Sequence, residues 1–238
     1  VAAPLLTAKG GLAGLFGLTC ALALAGIAVV LWWVPPETGH AGQGPRGSLA
    51  EVFKNPDLLR LNLGVFTLHT VQLSMWVAVP AMLVQAGLGR ADHWQVYLPA
   101  VLVSFAIMVP AIIAAERKDK MSPIFRGAIA LLVVVQLGLL FFGQSLWTLA
   151  LWLLLFFVAF NVLEATLPSL VSRTAPPTAK GAALGVYNTT QAIGLFVGGA
   201  GGGYLAQNFG DNAVFATCTG LVLIWLAVAN SMNFPQRR

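Results

Sequence analysis

The stretch LWTLALWLLLFFVAFNVLEATLPSL, residues 146–170, decides the fold. It carries a single charged side chain, Glu164, among leucines, phenylalanines and other apolar residues. Because an α-helix rises about 1.5 Å per residue, a helix of this length covers the ~30 Å hydrocarbon core of a bilayer. The sequence therefore predicts a transmembrane helix here.

Apolar stretches of similar length recur along the chain, separated by gaps that contain turn residues and charges. Together with residues 146–170 they predict seven spans of about 19 to 27 residues each. The others are residues 12–34, 58–84, 93–114, 124–142, 181–206 and 213–234. A composition with 58% hydrophobic and 9% charged residues excludes an ordinary soluble domain or a disordered chain. The fold class is therefore predicted to be all-α, a polytopic transmembrane helical bundle.

The 13 Lys and Arg residues follow these spans in a regular way, because they lie mostly in alternate gaps. Lys9 and Arg90 lie in one set of gaps. The other set holds Arg46, Lys54, Arg60, Arg117, Lys118, Lys120, Arg126, Arg173, Lys180, Arg237 and Arg238. Under the positive-inside rule the second set is cytoplasmic, so the carboxyl terminus is predicted to be cytoplasmic. The net charge of +5 is thus a topology signal, and no nucleic-acid partner is expected.

One long polar gap, residues 35–57, divides the chain. Ser48 and Glu51 have the spacing of a capping box, which predicts a short amphipathic helix on the cytoplasmic surface. Six helices follow the gap, the number in a transporter half built from two inverted three-helix repeats. The expected parts are residues 1–34 (the end of an earlier helix, a turn at residues 9–11 and one span), 35–57 (cytoplasmic central loop) and 58–238 (six-helix unit).

Three segments carry a resemblance to a known family. They are HWQVYLPA at residues 93–100, FNVLEATLPSL at 160–170 and KGAALGVYN at 180–188, the last running into a glycine-rich helix. From residue 58 onward the chain resembles the carboxyl-terminal half of a major facilitator superfamily transporter, and most nearly the YajR-type bacterial efflux transporters. Residues 12–34 would match the sixth helix. The resemblance implies a multi-pass protein of the bacterial inner membrane that exports a small organic solute against an inward flow of protons.

Two departures from that family stand out. The acidic and basic loop that follows its second helix would lie upstream of Val1, and the small domain that ends YajR-type proteins is not found after Arg238. We therefore expect a fragment that lacks its amino-terminal partner half and does not transport alone. A weaker form of the charged loop remains after the eighth helix, as Glu116, Arg117, Lys118, Asp119 and Lys120. These residues form either a cytoplasmic latch, as the resemblance implies, or a solvated loop that sets topology.

Glu164 is the one carboxylate well inside a predicted span. Because charged groups at a helix centre cost about 2.5 to 3.5 kcal/mol, Glu164 is expected to face the bundle interior or a wet cavity. Asn161, three residues earlier, lies on nearly the same helix face. Glu164 either carries protons or binds a substrate cation, or it hydrogen-bonds to a neighbouring helix as a structural group.

Two further helices carry polar side chains at helical spacing. One stripe of a predicted helix holds the side chains of Asn62, His69, Gln72 and Trp76. This stripe indicates either a cavity wall with a titratable histidine or hydrogen bonds between helices. Tyr187, Asn188 and Gln191 are cavity candidates on a later helix. The glycines that follow them, from Gly194 to Gly203, predict a small-residue ridge for close helix packing.

The sequence offers little support for other classes of function, such as an enzyme or a metal-binding protein. An intramembrane enzyme would need a nucleophile with a base, or a metal, and His69 with Glu164 is the one pair that could be proposed. No metal or cofactor is expected, since the sequence lacks His/Cys clusters and Cys20 and Cys218 lie apart within predicted spans. The remaining alternative to a transporter is a scaffold without transport activity or an inactive fragment. The expected partners are the lipid bilayer, the missing half, a small-molecule substrate and protons.

Overall fold

The computed structural model describes residues 2–34, 49–117, 120–232 and 234, with side chains from residue 11 onward, and those residues include no strand. Contacts divide the chain into two compact units, Val1–Pro45 and Arg46–Arg238. The first unit holds α1, Ala2–Trp33, which is broken at Gly11, where φ is +60°. Glycine adopts this conformation without steric cost, and Gly11 is the last residue of the predicted turn at residues 9–11.

The second unit is built of α-helices joined by short connections. In the described residues these are α2 (Leu49–Lys54), α3 (Pro56–Gln85), α4 (Trp94–Arg117), α5 (Met121–Phe142), α6 (Leu146–Thr174), α7 (Lys180–Phe209) and α8 (Asp211–Asn230), with 3-10 turns at Arg90–Asp92 and Pro177–Ala179. α2 lies where a short helix was predicted before the second span, whereas the predicted cap Ser48 lies outside the described residues. Asn55 caps α3, because its Oδ1 accepts from the backbone N–H groups of Asp57 at 3.0 Å and Leu58 at 3.3 Å.

Hydropathy separates α7 from the other long helices. In the described part of the chain, six segments are long and apolar enough to cross a membrane: Gly11–Trp33, Pro56–Gln85, Arg90–Arg117, Met121–Phe142, Leu146–Thr174 and Asp211–Asn230. The seventh predicted span coincides with α7, which has 30 residues but is less apolar, because glycines, amides and hydroxyl residues interrupt its apolar stretches. Six of the seven predicted spans are therefore apolar enough to cross a membrane by themselves. The seventh, α7, is less apolar and packs along α3 within the bundle.

The packing of the second unit repeats after three helices. α3 packs on α7 and α8, and α6 packs correspondingly on α4 and α5. α3 also contacts α6, and α5 contacts α8, and in both pairs the two helices occupy corresponding positions in the two repeats. Three helices reverse the direction of the chain, so the second repeat, α6–α8, runs inverted relative to the first, α3–α5. This arrangement is the one predicted, an all-α six-helix transporter half.

Glycines bring α3 and α7 into close contact. A Cβ atom placed on Gly194 would lie 2.6 Å from the carbonyl oxygen of Phe66, so only glycine fits there. Thr70 Oγ1 donates to the carbonyl oxygen of Gly194 at 3.1 Å, and Ser74 Oγ donates to that of Gly198 at 3.0 Å. The predicted small-residue ridge is thus confirmed, and hydroxyl groups of α3 reinforce it.

Charged residues gather at one end of the bundle, which we call the basic end. There α3 begins, α4 and α6 end and α7 begins, with Arg60, Arg117, Arg173 and Lys180 nearby. At the same end Arg126 of α5 donates to the carbonyl oxygens of Ala229 at 3.3 Å, Asn230 at 3.3 Å and Met232 at 3.4 Å. From the sequence, Arg126 was only one of the basic residues that indicate the cytoplasmic side. The structure shows that its guanidinium group also hydrogen-bonds to the end of α8.

Candidate functional site

Three helices converge on His69, which lies near the middle of α3 and is 3% exposed. Its Nδ1 atom is 3.0 Å from the carbonyl oxygen of Val65 on the same helix. Its Nε2 atom is 2.7 Å from the amide nitrogen of Gln191 on α7 and 3.4 Å from Oε2 of Glu164 on α6. We call His69, Glu164 and Gln191 the histidine site. It brings together three residues that the sequence placed on three separate helices.

The Glu164 carboxylate is only partly satisfied in this site. Its Oε2 has no hydrogen-bond partner among the described residues, since 3.4 Å from His69 is too long for a good hydrogen bond. The buried hydroxyl group of Tyr187 on α7 is within electrostatic range of Glu164 and also lacks a described hydrogen-bond partner. The side chain of Glu164 is 38% exposed, so the site is open on one side. A group in this position can exchange a proton with His69 or with a molecule entering from the open side.

Asn161 does not join the histidine site. Its Nδ2 donates to Ser104 Oγ on α4 at 2.8 Å, and Ser104 Oγ donates in turn to the carbonyl oxygen of Val101 at 2.6 Å. Asn161 therefore links α6 to α4 through a hydrogen bond between side chains. Ser104 was not predicted from the sequence, although its side chain is the one hydroxyl group in the apolar stretch VLVSFAIMV, residues 101–109.

Aromatic rings extend from the histidine site toward the end of the bundle opposite the basic end. The ring of Phe160 lies edge-on to His69 at 5.8 Å, and Phe156 and Phe157 continue the series along α6. Trp76 of α3 follows, 6.3 Å from Phe157 and 4.8 Å from Tyr97 of α4. Trp76, which was predicted to belong to the stripe on α3, is thus part of a continuous set of ring contacts that includes Tyr97, a residue not predicted from the sequence.

The remaining polar residues of the predicted pathway are spread over the bundle. Asn62 is 7% exposed, and its Oδ1 has no hydrogen-bond partner among the described residues. Gln72 is half-buried, and Asn188 is exposed on α7, so neither is brought into the histidine site. A cavity of about 500 Å³ lies between α4 and α6, and none of the predicted pathway residues line it. Its walls are mostly apolar, including Val96, Trp147 and Leu154.

At the basic end, one residue of the predicted latch forms an ion pair. Arg173 Nη2 at the end of α6 lies 2.6 Å from Glu116 Oε1 at the end of α4. Arg117 and Lys120 are exposed, whereas Lys118 and Asp119 lie outside the described residues. The pair therefore joins two helices from different repeats, a contact that the spacing within the loop did not predict.

Both cysteines are free thiols, and Cys20 is exposed whereas Cys218 is buried. Within the described residues, no three side chains of His, Cys, Asp or Glu are placed to hold a metal ion together.

Comparison with known proteins agrees with this architecture. The family model described as Major Facilitator Superfamily matches residues 1–199. The inner membrane transport protein YajR of Escherichia coli strain K12 is 41% identical over 239 residues, which cover 99% of this chain and 53% of that protein. An uncharacterized transporter of Buchnera aphidicola subsp. Baizongia pistaciae is 31% identical over 169 residues, 67% of this chain and 42% of that protein.

A second uncharacterized transporter, from Buchnera aphidicola subsp. Acyrthosiphon pisum, is 30% identical over 144 residues, 60% of this chain and 37% of that protein. The chain thus spans about half the length of the Escherichia coli relative, and less of the other two. The family match, the apolar helices and the inverted three-helix repeats together lead to one conclusion: the chain belongs to the Major Facilitator Superfamily of membrane transporters.

Proposed function

We propose that the chain is the carboxyl-terminal half of a secondary active transporter of the bacterial inner membrane. In this proposal the complete protein exports a small organic solute by alternating access, in exchange for protons that move inward. The amino-terminal half is the missing partner that completes the substrate pathway. The observation that carries the proposal is the histidine site, in which a buried imidazole and a carboxylate lie 3.4 Å apart inside an apolar bundle.

The position of the site supports coupling between proton binding and movement. His69 lies on α3 of the first repeat and Glu164 on α6 of the second, so a shift of α6 against α3 changes the distance between the imidazole and the carboxylate. A proton shared by Glu164 and His69 alters the net charge of a region where unpaired charge is costly. A conformational change that alters the distance between the two groups therefore also alters the proton affinity of the site.

The basic end supports a second element of the mechanism. The ion pair of Glu116 with Arg173 joins α4 of the first repeat to α6 of the second. We propose that it closes the cytoplasmic side in one conformation and separates in the other. Exposed ion pairs contribute at most about 1 kcal/mol, so the contact can open without a large barrier.

Proton-driven flux through the complete transporter tests the function. The chain is produced together with an amino-terminal half supplied as a separate polypeptide, and the complex is placed in liposomes containing a pH-sensitive dye. Ethidium serves as the organic probe. We expect an imposed pH gradient to drive ethidium movement with opposite proton movement, and Glu164→Gln to abolish both while leaving the complex assembled.

Glu51→Gln is the matched control, because Glu51 is an exposed carboxylate on α2, outside the six-helix bundle. It should leave flux unchanged. Normal proton dependence in Glu164→Gln would remove Glu164 from the mechanism. If the assembled complex moves neither protons nor organic probes, the alternative of a scaffold or an inactive fragment replaces the transporter.

A further inference from the structure

The Nε2 atom of His69 has two competing partners, Gln191 and Glu164. The other ring nitrogen, Nδ1, lies 3.0 Å from the carbonyl oxygen of Val65. A carbonyl oxygen only accepts hydrogen bonds, so Nδ1 must carry a hydrogen and donate it. In neutral imidazole the other ring nitrogen, Nε2, then has a lone pair and can only accept. The protonation state of His69 is therefore decided at Nε2.

The two groups that face Nε2 have opposite hydrogen-bonding character. The amide nitrogen of Gln191, a donor, lies 2.7 Å away, and Oε2 of Glu164, an acceptor when ionised, lies 3.4 Å away. The amide suits neutral His69, because it donates to the lone pair of Nε2. The carboxylate suits the imidazolium ion, because it accepts from a protonated Nε2. The shorter distance to the amide corresponds to the neutral form.

We propose that Gln191 is the positioning residue that sets the protonation state of His69, an inference that rests on the proposed proton-coupled function. When protonated Glu164 gives its hydrogen to Nε2, its O–H bond breaks and an N–H bond forms. The products are a carboxylate on Glu164 and an imidazolium on His69. Gln191 opposes this transfer, because its amide hydrogen must leave the Nε2 lone pair before the proton can bind there.

The packing of α3 on α7 keeps Gln191 in register with His69. Gly194, three residues after Gln191, accepts a hydrogen bond from Thr70, the residue after His69. The backbone of Phe66, three residues before His69, leaves no space for a side chain at Gly194. α6, which carries Glu164, contacts α3 and α7 less extensively than they contact each other. A shift of α6 therefore changes the distance from Glu164 to Nε2 while the distance from Gln191 is kept.

The other titratable groups around His69 are few. On α7, Tyr187 interacts with Glu164. On α8, Cys218 lies beside Ser74, beyond His69 along α3. Glu51 and Lys54 of α2 and Asp57 of α3 lie at the basic end, and Arg90 and Asp92 lie beyond the opposite end of α3. Within the described residues, Glu164 is thus the acid in direct reach of His69.

Histidine labelling gives a direct test, because the sequence has three histidines. The full chain is labelled with ¹⁵N-histidine in a His40→Gln, His93→Gln background and placed in lipid bilayers, so that His69 supplies the one imidazole signal. Solid-state NMR then reports which ring nitrogen is protonated across a pH series. We expect the neutral form to carry its hydrogen on Nδ1, with the signal of a hydrogen-bonded lone pair on Nε2. A neutral form protonated on Nε2 would overturn the inference without any change at Gln191.

The Gln191→Met variant removes the amide at nearly constant volume. Without its donor, the neutral form loses one hydrogen bond, so the pH at which half of His69 is protonated should rise by about 0.5 to 1 unit, a threefold to tenfold change in proton affinity. Gln207→Met, the same exchange at an exposed position of α7, should leave the titration unchanged. An unchanged or lowered midpoint in Gln191→Met would refute the role of Gln191. Because the titration needs no transported solute, that result would leave the proposed transport standing.

Discussion

The Gly198→Ala exchange is expected to destabilise the bundle through one methyl group. A Cβ atom on Gly198 would overlap the carbonyl oxygen of Thr70 and lie 2.9 Å from its Cα atom. Because carbon atoms pack at about 3.5 to 4.0 Å, α3 and α7 must separate by about 0.6 to 1.1 Å. That shift lengthens the 3.0 Å hydrogen bond from Ser74 to Gly198 beyond its useful range. Overpacking costs about 1 to 3 kcal/mol and the lost hydrogen bond about 0.6 to 2 kcal/mol, so we expect a total loss of about 2 to 5 kcal/mol.

Buried Cys218 provides the assay, because a thiol-reactive dye labels it only when the bundle opens. The exposed thiol is first removed by Cys20→Ala, and labelling is followed during unfolding by heat or denaturant in detergent. Gly201→Ala is the matched control, since a Cβ atom there meets no other atom within 4 Å. It should keep or raise stability by up to about 1 kcal/mol, because alanine is the better helix residue. If Gly198→Ala and Gly201→Ala unfold at the same temperature or denaturant concentration, the proposed close packing of α3 on α7 is refuted.

Two further exchanges are measured in the same way. Arg126→Lys keeps the charge but loses the planar group that donates to three carbonyl oxygens at the end of α8 and lies 5.3 Å from the ring of Phe234. We expect it to lower the stability by about 1 to 2 kcal/mol, and an unchanged midpoint would show that these contacts contribute nothing. Gln136→Leu removes a fully buried amide whose nitrogen donates to Met75 Sδ at 3.0 Å but whose oxygen has no partner among the described residues. We expect unchanged or higher stability, by up to about 2 kcal/mol, and a clear loss would mean that the amide is satisfied.

The long helices could be predicted because each is marked by a continuous apolar stretch within its own segment of the sequence. The span predicted at residues 146–170 is found as α6, Leu146–Thr174, and the span at residues 58–84 as α3, Pro56–Gln85. The span predicted at residues 181–206 is found as α7, Lys180–Phe209, although its glycines lower its hydropathy while they improve its packing on α3. Such a helix is stabilised by its neighbours, and no single-helix measure contains their contribution.

The polar residues were found by their spacing, but their partners were not. The sequence singled out Asn161 and Glu164 together, since residues three apart lie on nearly one face. In the structure Asn161 turns to Ser104, and Glu164 turns to His69. The direction of each side chain depends on which helix lies beside it, and the neighbouring helix comes from a distant part of the chain. A helical face can be read from spacing, whereas the residue opposite cannot.

The sequence by itself determined that this chain is a bundle of apolar helices with basic residues between them, because the cost of placing polar groups in hydrocarbon acts on each segment separately. The tertiary structure decided that His69, Glu164 and Gln191 meet at one nitrogen atom, and that Glu116 pairs with Arg173. Those contacts join helices that are far apart in the chain. Their distances depend on how closely backbones approach, which the glycines of α7 and the hydroxyl groups of α3 settle only when the two helices pack.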